Sequence, residues 1–291
     1  MNSFETNIIN IYQDKGRIWL ANLPIIIKNI KNEYDLSDLK LLSNLSYNYV
    51  LSGFQSSKPI ILKLGLDING LKQEVDALKI FAEFGVAKVL IARDGMILLE
   101  CAIPGISLKS YFPSKDSDSI QIVCDAINRL HQAPLPKINV FPNLKDLLAV
   151  FDRNISYNEV LKCYIQKAQN ISNQLLETSA APVLLHGDLH HDNFLQNGNN
   201  WIVIDPKGII GEPAYEVGAF IRNPIPELLK SKDVDNIINN RIATFGTALK
   251  LNPSRIKDWC FVQAVLAMIW ALEDGSDKSD FRDLIEIFNK D

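Results

Sequence analysis

The sequence predicts an α+β protein in which a sheet-rich N-terminal part, residues 1–101, precedes a mainly helical part, residues 102–291. Short apolar runs between residues 36 and 101 are separated by polar, Gly- and Pro-containing breaks, a pattern typical of strands. After Pro104-Gly105, apolar residues recur at helical spacing instead. The 291 residues, of which 47% are hydrophobic, are enough to fill a core in each part.

The N-terminal part is predicted to be a small antiparallel sheet interrupted by one helix. Residues 36–65 contain the first strands, and residues 87–101 contain two more, which turn at Asp94-Gly95. Between these strands, apolar residues at helical spacing predict a helix that Gly85 can end. The apolar residues of this helix are Leu71, Leu78, Phe81 and Ala82.

The C-terminal part is predicted to consist of helices with one hairpin inserted among them. Apolar periods predict a helix over residues 119–133 that stops at Pro134, and another over residues 158–178. The segment 194–205 is typical of a hairpin that turns at Asn197-Gly198. The apolar run 260–272 is interrupted by a glutamine and is too short to span a bilayer, so it predicts a buried helix.

Composition limits the partners and the location of the protein. A net charge of −4 and a pI near 5.7 argue against a nucleic-acid partner, which would favour a basic face. We therefore expect a small-molecule partner, neutral or cationic, with no membrane association and a monomer as the default state. The four cysteines form no C-x-x-C pair, and the N-terminus lacks the layout of a secretion signal, which together favour the cytoplasm.

Three oxygen-bearing side chains are predicted at strand ends within one short stretch, residues 184–208. Asp188 follows the apolar run 183–185, Asn193 comes five residues later, and Asp205 ends the predicted strand 201–204. Phosphoryl transfer from ATP needs a carboxylate that orients and deprotonates the attacking hydroxyl, together with oxygen ligands for Mg²⁺. The Asp-to-Asn spacing is that of a kinase catalytic loop. Asp188 is therefore the candidate base, and Asn193 and Asp205 are the candidate Mg²⁺ ligands.

Two other interpretations of this stretch remain open. His186, His190 and His191 could hold zinc and make the protein a metal-dependent hydrolase, although the helical H-E-x-x-H frame is missing. The histidines are otherwise expected to support the loop. Turn capping by short polar side chains would explain one or two of the three oxygen-bearing residues.

A second predicted feature is an ion pair in the N-terminal part. Lys63 interrupts a strongly apolar strand, where an unpaired ammonium group would be unfavourable, so it needs an anion. Glu74 lies at helical spacing from the apolar residues of the following helix, so the two can pair. In kinases such a pair holds the α- and β-phosphates of ATP. No G-x-G-x-x-G loop precedes Lys63, and the small polar residues of segment 43–48 must cover the phosphates instead.

A family resemblance is carried first by the loop HGDLHHDN, which resembles the His-Gly-Asp loop of the aminoglycoside phosphotransferase family. The longer segment IDPKGIIGEPAYEVGAFIRNP is similar to the branch that contains streptomycin 6-kinases and hydroxyurea phosphotransferases. The resemblance also touches LLECAIPG, RLHQAP and IWALEDG, so it covers most of the chain from about Leu36 onward. The loop alone is shared with choline, homoserine and fructosamine kinases.

The resemblance implies a protein-kinase-like bilobal fold and ATP-dependent phosphorylation of a small-molecule hydroxyl. It implies that Asp188 is the base, that Asn193 and Asp205 bind Mg²⁺, and that the Lys63–Glu74 pair holds the phosphates. It also implies a hinge at residues 99–102, where the main chain of Glu100 and Ala102 would bind the adenine edge. The Pro-Lys-Gly after Asp205 replaces the Phe-Gly of protein kinases and argues against a protein substrate.

The acceptor is predicted from the same resemblance to be a streptomycin-like aminoglycoside, which would make the protein an antibiotic resistance kinase. Acidic and aromatic side chains suited to a cationic sugar are Glu212, Glu216, Trp270 and Glu273. The acids at 212 and 216 stand where relatives commonly carry aspartates. Alternatives are a kinase of another metabolite of choline, homoserine or sugar-amine type, and a catalytically silent kinase-like binding protein. Of the further acids, Asp274 continues the cluster, and Asp277 and Asp280 are expected at a solvated helix end.

Overall fold

The computed structural model of the protein describes residues 3–43, 45–136, 140–153, 159–273 and 279–290. The N-terminal part contains a five-stranded antiparallel sheet in the order β1-β2-β3-β5-β4. Its strands are β1 (Leu36–Leu41), β2 (Tyr49–Gln55), β3 (Lys58–Leu64), β4 (Val89–Arg93) and β5 (Met96–Glu100). The strands predicted within residues 36–65 are confirmed. The predicted hairpin is also confirmed, with Gly95 at the turn in the left-handed region at φ 74°.

Two helices pack with this sheet. Helix α2 (Ile68–Ile80) connects β3 to β4 and is capped at its N-terminus by Asp67, whose carboxylate accepts the Gly70 N–H at 2.9 Å. The helix predicted upstream of Gly85 is therefore confirmed. Helix α1 (Ser3–Glu33) precedes the sheet and had no counterpart among the predicted elements. It is interrupted at Gln13, where the backbone leaves the helical region at φ 51° and ψ −125°.

The C-terminal part is mainly helical, as predicted. Its helices are α3 (Asp116–Leu130), α4 (Leu144–Leu148), α5 (Glu159–Glu177), α6 (Pro213–Glu216), α7 (Gly218–Ile221), α8 (Val234–Ala248), α9 (Pro253–Glu273) and α10 (Ser279–Asn289). Helices α3 and α5 correspond to the two predicted from apolar periods; residue 158, the predicted start of the second, lies outside the described residues. Helix α9 contains the predicted buried helix.

Short strands within the helical part flank the loop segments that contain the candidate site residues. The strands are β6 (Pro104–Ser107), β7 (Val183–Leu185), β8 (Phe194–Asn197), β9 (Asn200–Val203) and β10 (Ile209–Gly211). Strands β8 and β9 form the predicted hairpin at Asn197-Gly198, and β6 pairs with β8 at its other edge. Strand β7 pairs antiparallel with β10. These two small sheets bring residues 186–193 and 204–208 together.

Two apolar clusters hold the fold. One joins α1 to the outer face of the sheet through buried side chains that include Leu23, Ile30, Leu51 and Leu62. The other is continuous from α2 and β5 into the helical part, from Phe81 and Leu99 through α3 and α5 to α9. The N-terminal sheet is thus packed between α1 on one side and the main core on the other. The division of the chain into two parts at residue 101 follows the change from the sheet to mainly helical structure, and we retain it as a proposal.

Within the described residues, none of the helices is both long enough and apolar enough to cross a membrane.

Candidate active site

The loop from β7 to β8 is closed by its own hydrogen bonds. Asn193 Nδ2 donates to the Asp188 carbonyl at 2.8 Å, and the Asn193 N–H donates to the His190 carbonyl at 2.9 Å. Gly187 lies at φ 83°, and a Cβ there would lie 2.7 Å from Ile209 Cδ1, so only glycine fits before Asp188. The sequence Gly-Asp-Leu-His-His-Asp-Asn therefore folds into a loop that holds Asp188 and Asn193 at fixed positions.

His186 joins this loop to the segment that carries Asp205. Its Nε2 lies 2.8 Å from the Ile204 carbonyl, and its Nδ1 lies 3.2 Å from the Asp188 N–H, so Nε2 donates and Nδ1 accepts. Burial lowers the pKa of His186, which keeps the ring in this neutral form. Asp205 itself lies at φ 60°, an uncommon conformation for a residue other than glycine, next to the anchored Ile204.

The predicted pairing of Lys63 with Glu74 is confirmed, and it includes Asp205. Lys63 Nζ donates to Glu74 Oε1 at 2.9 Å, to Glu74 Oε2 at 2.8 Å and to Asp205 Oδ1 at 2.9 Å. Burial alone would lower the pKa of Lys63, but Asp205 and Glu74 outweigh it and raise the pKa. Lys63 is therefore an ammonium ion whose three protons all bind carboxylates.

The Asp188 side chain is partly open, with 30% of its surface exposed. Burial alone would raise its pKa, but electrostatic interactions with His190, Lys207 and Arg222 lower it below the ordinary value. His190 Nε2 lies 3.9 Å from Asp188 Oδ2. Asp188 is thus a carboxylate at neutral pH, accessible to a hydroxyl group, which is the state that a proton acceptor requires.

Asn193 and Asp205 have the donor atoms that a divalent cation would need. The Asn193 amide nitrogen is used by the Asp188 carbonyl, so its amide oxygen faces away from that bond and is left for a ligand. Asp205 shares one carboxylate oxygen with Lys63 and keeps 40% of its side chain exposed. Burial alone would raise the pKa of Asp205, but Lys63 holds it lowered, so the group is ionised. Two hard oxygen donors fit Mg²⁺.

The three clustered histidines have different surroundings, which weighs against the zinc alternative. His186 is bonded within the loop as described, and His190 is partly exposed beside Asp188. His191 is buried and stacks on Phe220, with 3.9 Å between ring centroids. Among the described residues, no group of three or more His, Cys, Asp or Glu side chains could hold a metal ion.

Glu216 does not face an acceptor cleft, which corrects its predicted role. The residue is 1% exposed, and its carboxylate accepts the main-chain N–H groups of His186 at 2.7 Å and Gly187 at 2.9 Å. His131 Nε2 lies 3.5 Å from Glu216 Oε2. Burial alone would raise the pKa of Glu216, but nearby His131 and the Gly187 N–H hold it lowered. Glu216 therefore anchors the start of the Asp188 loop.

Glu212 is likewise buried, so its predicted role as an acceptor contact is also corrected: it supports the protein internally. It is 1% exposed and accepts from Arg255 Nε at 2.9 and 2.8 Å. It also accepts the indole N–H of Trp259 and, at 3.4 Å, the main-chain N–H of Ala180. Its carboxylate thus joins the chain before β7 to helix α9. The one-methylene extension relative to aspartate reaches these internal partners.

Trp270 and Glu273 are the predicted acceptor residues that remain accessible. Trp270 is 37% exposed. On helix α9, Trp270 comes seven residues after Gln263, which is two helical turns. The two side chains therefore lie on the same face of the helix, about 10 Å apart along its axis. Glu273 Oε1 accepts from Arg153 Nη1 at 2.6 Å, so a nearby cation already balances its charge. Asp274 and Asp277 lie outside the described residues, and Asp280 is in the first turn of α10.

The predicted hinge residues lie at the end of β5. The Glu100 N–H donates to the Lys88 carbonyl at 2.9 Å, so its carbonyl is the main-chain group available to adenine. The Ala102 carbonyl accepts from Cys101 Sγ at 3.4 Å, and the Ala102 N–H donates to no group among the described residues, so it is available to a ligand. An acceptor followed two residues later by a donor suits one edge of adenine, and we retain this role as a proposal.

Several supporting residues had not been singled out from the sequence. Arg222 Nη1 donates to Gln263 Oε1 at 2.5 Å, and Gln263 Nε2 donates to the Tyr215 carbonyl at 2.7 Å. Gln73 Nε2 donates to the Lys207 carbonyl at 2.6 Å and connects α2 to the Asp205 segment. The sequence offers one signal for Gln263, a polar residue inside a long apolar run. The others follow no periodic pattern.

Known proteins match this chain over most of its length. A family model described as "Aminoglycoside/hydroxyurea antibiotic resistance kinase" matches residues 42–275. Streptomycin 3''-kinase from Klebsiella pneumoniae is 27% identical over 199 residues, which are 66% of this chain and 72% of that protein. Hydroxyurea phosphotransferase from Kitasatospora aureofaciens is 30% identical over 104 residues, which are 35% of this chain and 28% of that protein.

Solved structures share the fold at low sequence identity. The aminoglycoside phosphotransferase APH(4)-Ia, in a ternary complex with ADP and hygromycin B, aligns with a TM-score of 0.68 at 14% identity and covers 90% of this chain and 95% of that one. Choline kinase LicA from Streptococcus pneumoniae gives 0.69 at 14% identity, over 91% of this chain and 98% of that one. The predicted kinase-like fold is confirmed, and the chain belongs to the aminoglycoside/hydroxyurea antibiotic resistance kinase family of small-molecule phosphotransferases.

Proposed function

We propose that this kinase transfers the γ-phosphoryl group of ATP to a hydroxyl group of a streptomycin-like aminoglycoside. The observation that best supports phosphoryl transfer is the arrangement around Asp188, an ionised and partly exposed carboxylate in the same closed loop as Asn193. The similarity to streptomycin 3''-kinase supports the acceptor class.

Asp188 acts on the acceptor. Its carboxylate accepts a hydrogen bond from the attacking hydroxyl and takes the proton as the new oxygen–phosphorus bond forms. The bond between the γ-phosphorus and the bridging oxygen breaks, and ADP leaves with the electron pair. The Asn193 bond to the Asp188 carbonyl and the Glu216 bonds to His186 and Gly187 keep the carboxylate in place.

Lys63 acts on the nucleotide. All three of its protons are used, two by Glu74 and one by Asp205, so a phosphate oxygen must replace one carboxylate. The Asp205 contact is the exchangeable one, because Asp205 is 40% exposed whereas Glu74 is buried. Asp205, released from Lys63, and the Asn193 amide oxygen would hold Mg²⁺, which when bound neutralises charge on the phosphates.

The acceptor is proposed to lie near the exposed end of α9. With Glu212 and Glu216 occupied inside the protein, the accessible groups from the predicted set are Trp270 and Glu273. An indole face can hold a guanidinium group, and a carboxylate can accept its hydrogen bonds. Glu273 would exchange its partner Arg153 for the cationic group of the acceptor.

The test is ADP release from Mg-ATP with a panel of streptomycin, other aminoglycosides, hydroxyurea, choline, homoserine and a sugar amine. We expect streptomycin to be phosphorylated, with the product heavier by one phosphoryl group in mass spectrometry. Turnover of another acceptor without streptomycin turnover would remove the antibiotic and leave the kinase. Nucleotide binding without transfer to any acceptor would favour the silent binding protein.

We further propose a cytoplasmic location, where ATP is available. The four cysteines, Cys101, Cys124, Cys163 and Cys260, are unpaired, which suits a reducing compartment.

A further inference from the structure

Lys207 is fixed at its main chain from two sides of the cleft. Its N–H donates to the His186 carbonyl at 2.7 Å, which ties it to the loop that carries Asp188. Its carbonyl accepts from Gln73 Nε2 at 2.6 Å, which ties it to the helix that carries Glu74. The position of Lys207 is therefore set by the same elements that set the base and the phosphate pair.

The side chain of Lys207 leaves the backbone beside the catalytic loop. A Cβ added at Gly187 would lie 3.3 Å from the Cβ of Lys207, so the lysine starts next to the residue that precedes Asp188. Its positive charge lowers the pKa of both Asp188 and Asp205. The ammonium group is thus close enough to influence the candidate base and the candidate metal ligand together.

The ammonium group of Lys207 is available to a ligand. The residue is exposed, and within the described part of the chain its Nζ makes neither a hydrogen bond nor an ion pair. Lys63, by contrast, is 4% exposed and uses all three protons on carboxylates. Asp188, Asp205 and Glu74 bring three carboxyl groups to the reacting centre. The other cationic side chains there are already bonded, Lys63 to carboxylates and Arg222 to Gln263. Beside the Mg²⁺ that Asn193 and Asp205 would hold, an anionic triphosphate is stabilised further by a cationic side chain that is free to contact it.

We propose that Lys207 is a further catalytic residue whose ammonium group contacts the γ-phosphoryl group during its transfer. This proposal rests on the proposed function, because it takes the phosphoryl group to lie between Asp188 and Asp205. A cation fixed at this place stabilises the negative charge on the equatorial phosphoryl oxygens in the transition state. Lys207 donates hydrogen bonds and transfers no proton, so its role differs from that of Asp188.

The test compares Lys207→Met, Lys207→Arg and, as a matched control, Lys232→Met, an exposed lysine in the segment before α8. Met keeps the main-chain bonds to His186 and Gln73 and much of the side-chain length. Binding of ADP and of AMP-PNP, both with Mg²⁺, is measured by calorimetry, together with turnover of the acceptor that the panel identifies. The two nucleotides separate a γ-phosphoryl contact from a general effect of charge.

We expect Lys207→Met to weaken AMP-PNP binding roughly tenfold and to lower kcat by a hundredfold or more, while ADP binding changes less than about twofold. Lys207→Arg should recover part of both, and Lys232→Met should match the parent protein. Equal loss of ADP and AMP-PNP affinity, or unchanged affinity for both with unchanged kcat, would overturn the proposal. If the parent protein phosphorylates no acceptor but Lys207→Met still weakens AMP-PNP selectively, the proposed function fails and the γ-phosphoryl contact stands.

Discussion

Lys63 Nζ lies 2.9 Å from Asp205 Oδ1, which joins strand β3 of the sheet to the loop between β9 and β10. The same ammonium group binds both oxygens of Glu74 on α2. One buried cation therefore fixes the relative positions of the sheet, α2 and the candidate metal ligand. Binding of a nucleotide would exchange one of these contacts, so this network connects stability to function.

The first prediction separates those two roles of Lys63. Lys63→Met leaves the buried Glu74 without its cation, and removal of one partner from a buried pair lowers the free energy of unfolding by about 3–5 kcal/mol. Lys63→Met/Glu74→Leu removes both charges and should recover most of that loss in chemical denaturation. Neither variant should bind ATP with the parent affinity. A double variant as unstable as the single one would contradict the coupling.

The second prediction concerns Asp188. Asp188→Asn keeps the shape and the main-chain bonds of the loop but cannot accept a proton, so kcat should fall roughly 10²- to 10⁴-fold. Affinity for ADP should stay near that of the parent protein. The matched control is Asp192→Asn, an exposed acid of the same loop, which should retain most of the activity. Near-normal turnover by Asp188→Asn would assign the base elsewhere.

The sequence predicted the Lys63–Glu74 pair because both charged residues sit among apolar neighbours at a strand or helix period. Because a buried charge needs a partner of opposite charge, such a pattern is compatible with few pairings of side chains. It also predicted Asp188, Asn193 and Asp205 as neighbours, because strand ends bring them together. Helix α1 was not predicted, because Gly16 and Pro24 both interrupt a helical pattern. Packing of its Leu23 against the sheet overrides that local preference.

The roles of Glu212 and Glu216 could not be predicted for a different reason. A carboxylate near a catalytic loop has the same sequence pattern whether it faces a ligand or an internal donor. Only the three-dimensional structure shows that main-chain N–H groups or Arg255 and Trp259 occupy these two carboxylates. Burial of an acid is set by contacts distant in sequence, which local periods do not record.

The third prediction distinguishes internal support from acceptor binding. Glu212→Gln removes the charge that Arg255 and Trp259 share, so we expect the free energy of unfolding to fall by about 2 kcal/mol with the KM for the acceptor unchanged. Glu273→Gln should instead raise the KM for the acceptor and leave the free energy of unfolding nearly unchanged, because its pair with Arg153 is partly exposed and contributes little to stability. Denaturation and steady-state kinetics on both variants check this. A raised KM for Glu212→Gln at unchanged stability would restore its predicted acceptor role.

The last prediction concerns Glu216 and pH. Its carboxylate holds the N–H groups of His186 and Gly187, and its pKa in the folded protein is lowered from the ordinary 4.5. The folded protein therefore binds this proton less readily than the unfolded chain does. The resulting stabilisation is present above about pH 4.5 and is lost as the pH falls through the lowered pKa.

Glu216→Gln should remove the part of the pH dependence of stability that comes from the Glu216 carboxylate. The amide oxygen of glutamine can accept one of the two main-chain N–H groups, but its NH₂ group cannot accept the other, so stability at neutral pH should fall by about 2–4 kcal/mol. The difference from the parent protein should shrink as the pH is lowered from about 6 to about 3 in denaturant titrations. Glu83→Gln, at an exposed acid, is the matched control and should follow the parent at every pH. Because Glu216 positions the Asp188 loop, kcat should fall while affinity for ADP is retained, and a difference in stability that does not change with pH would contradict the ionised anchor.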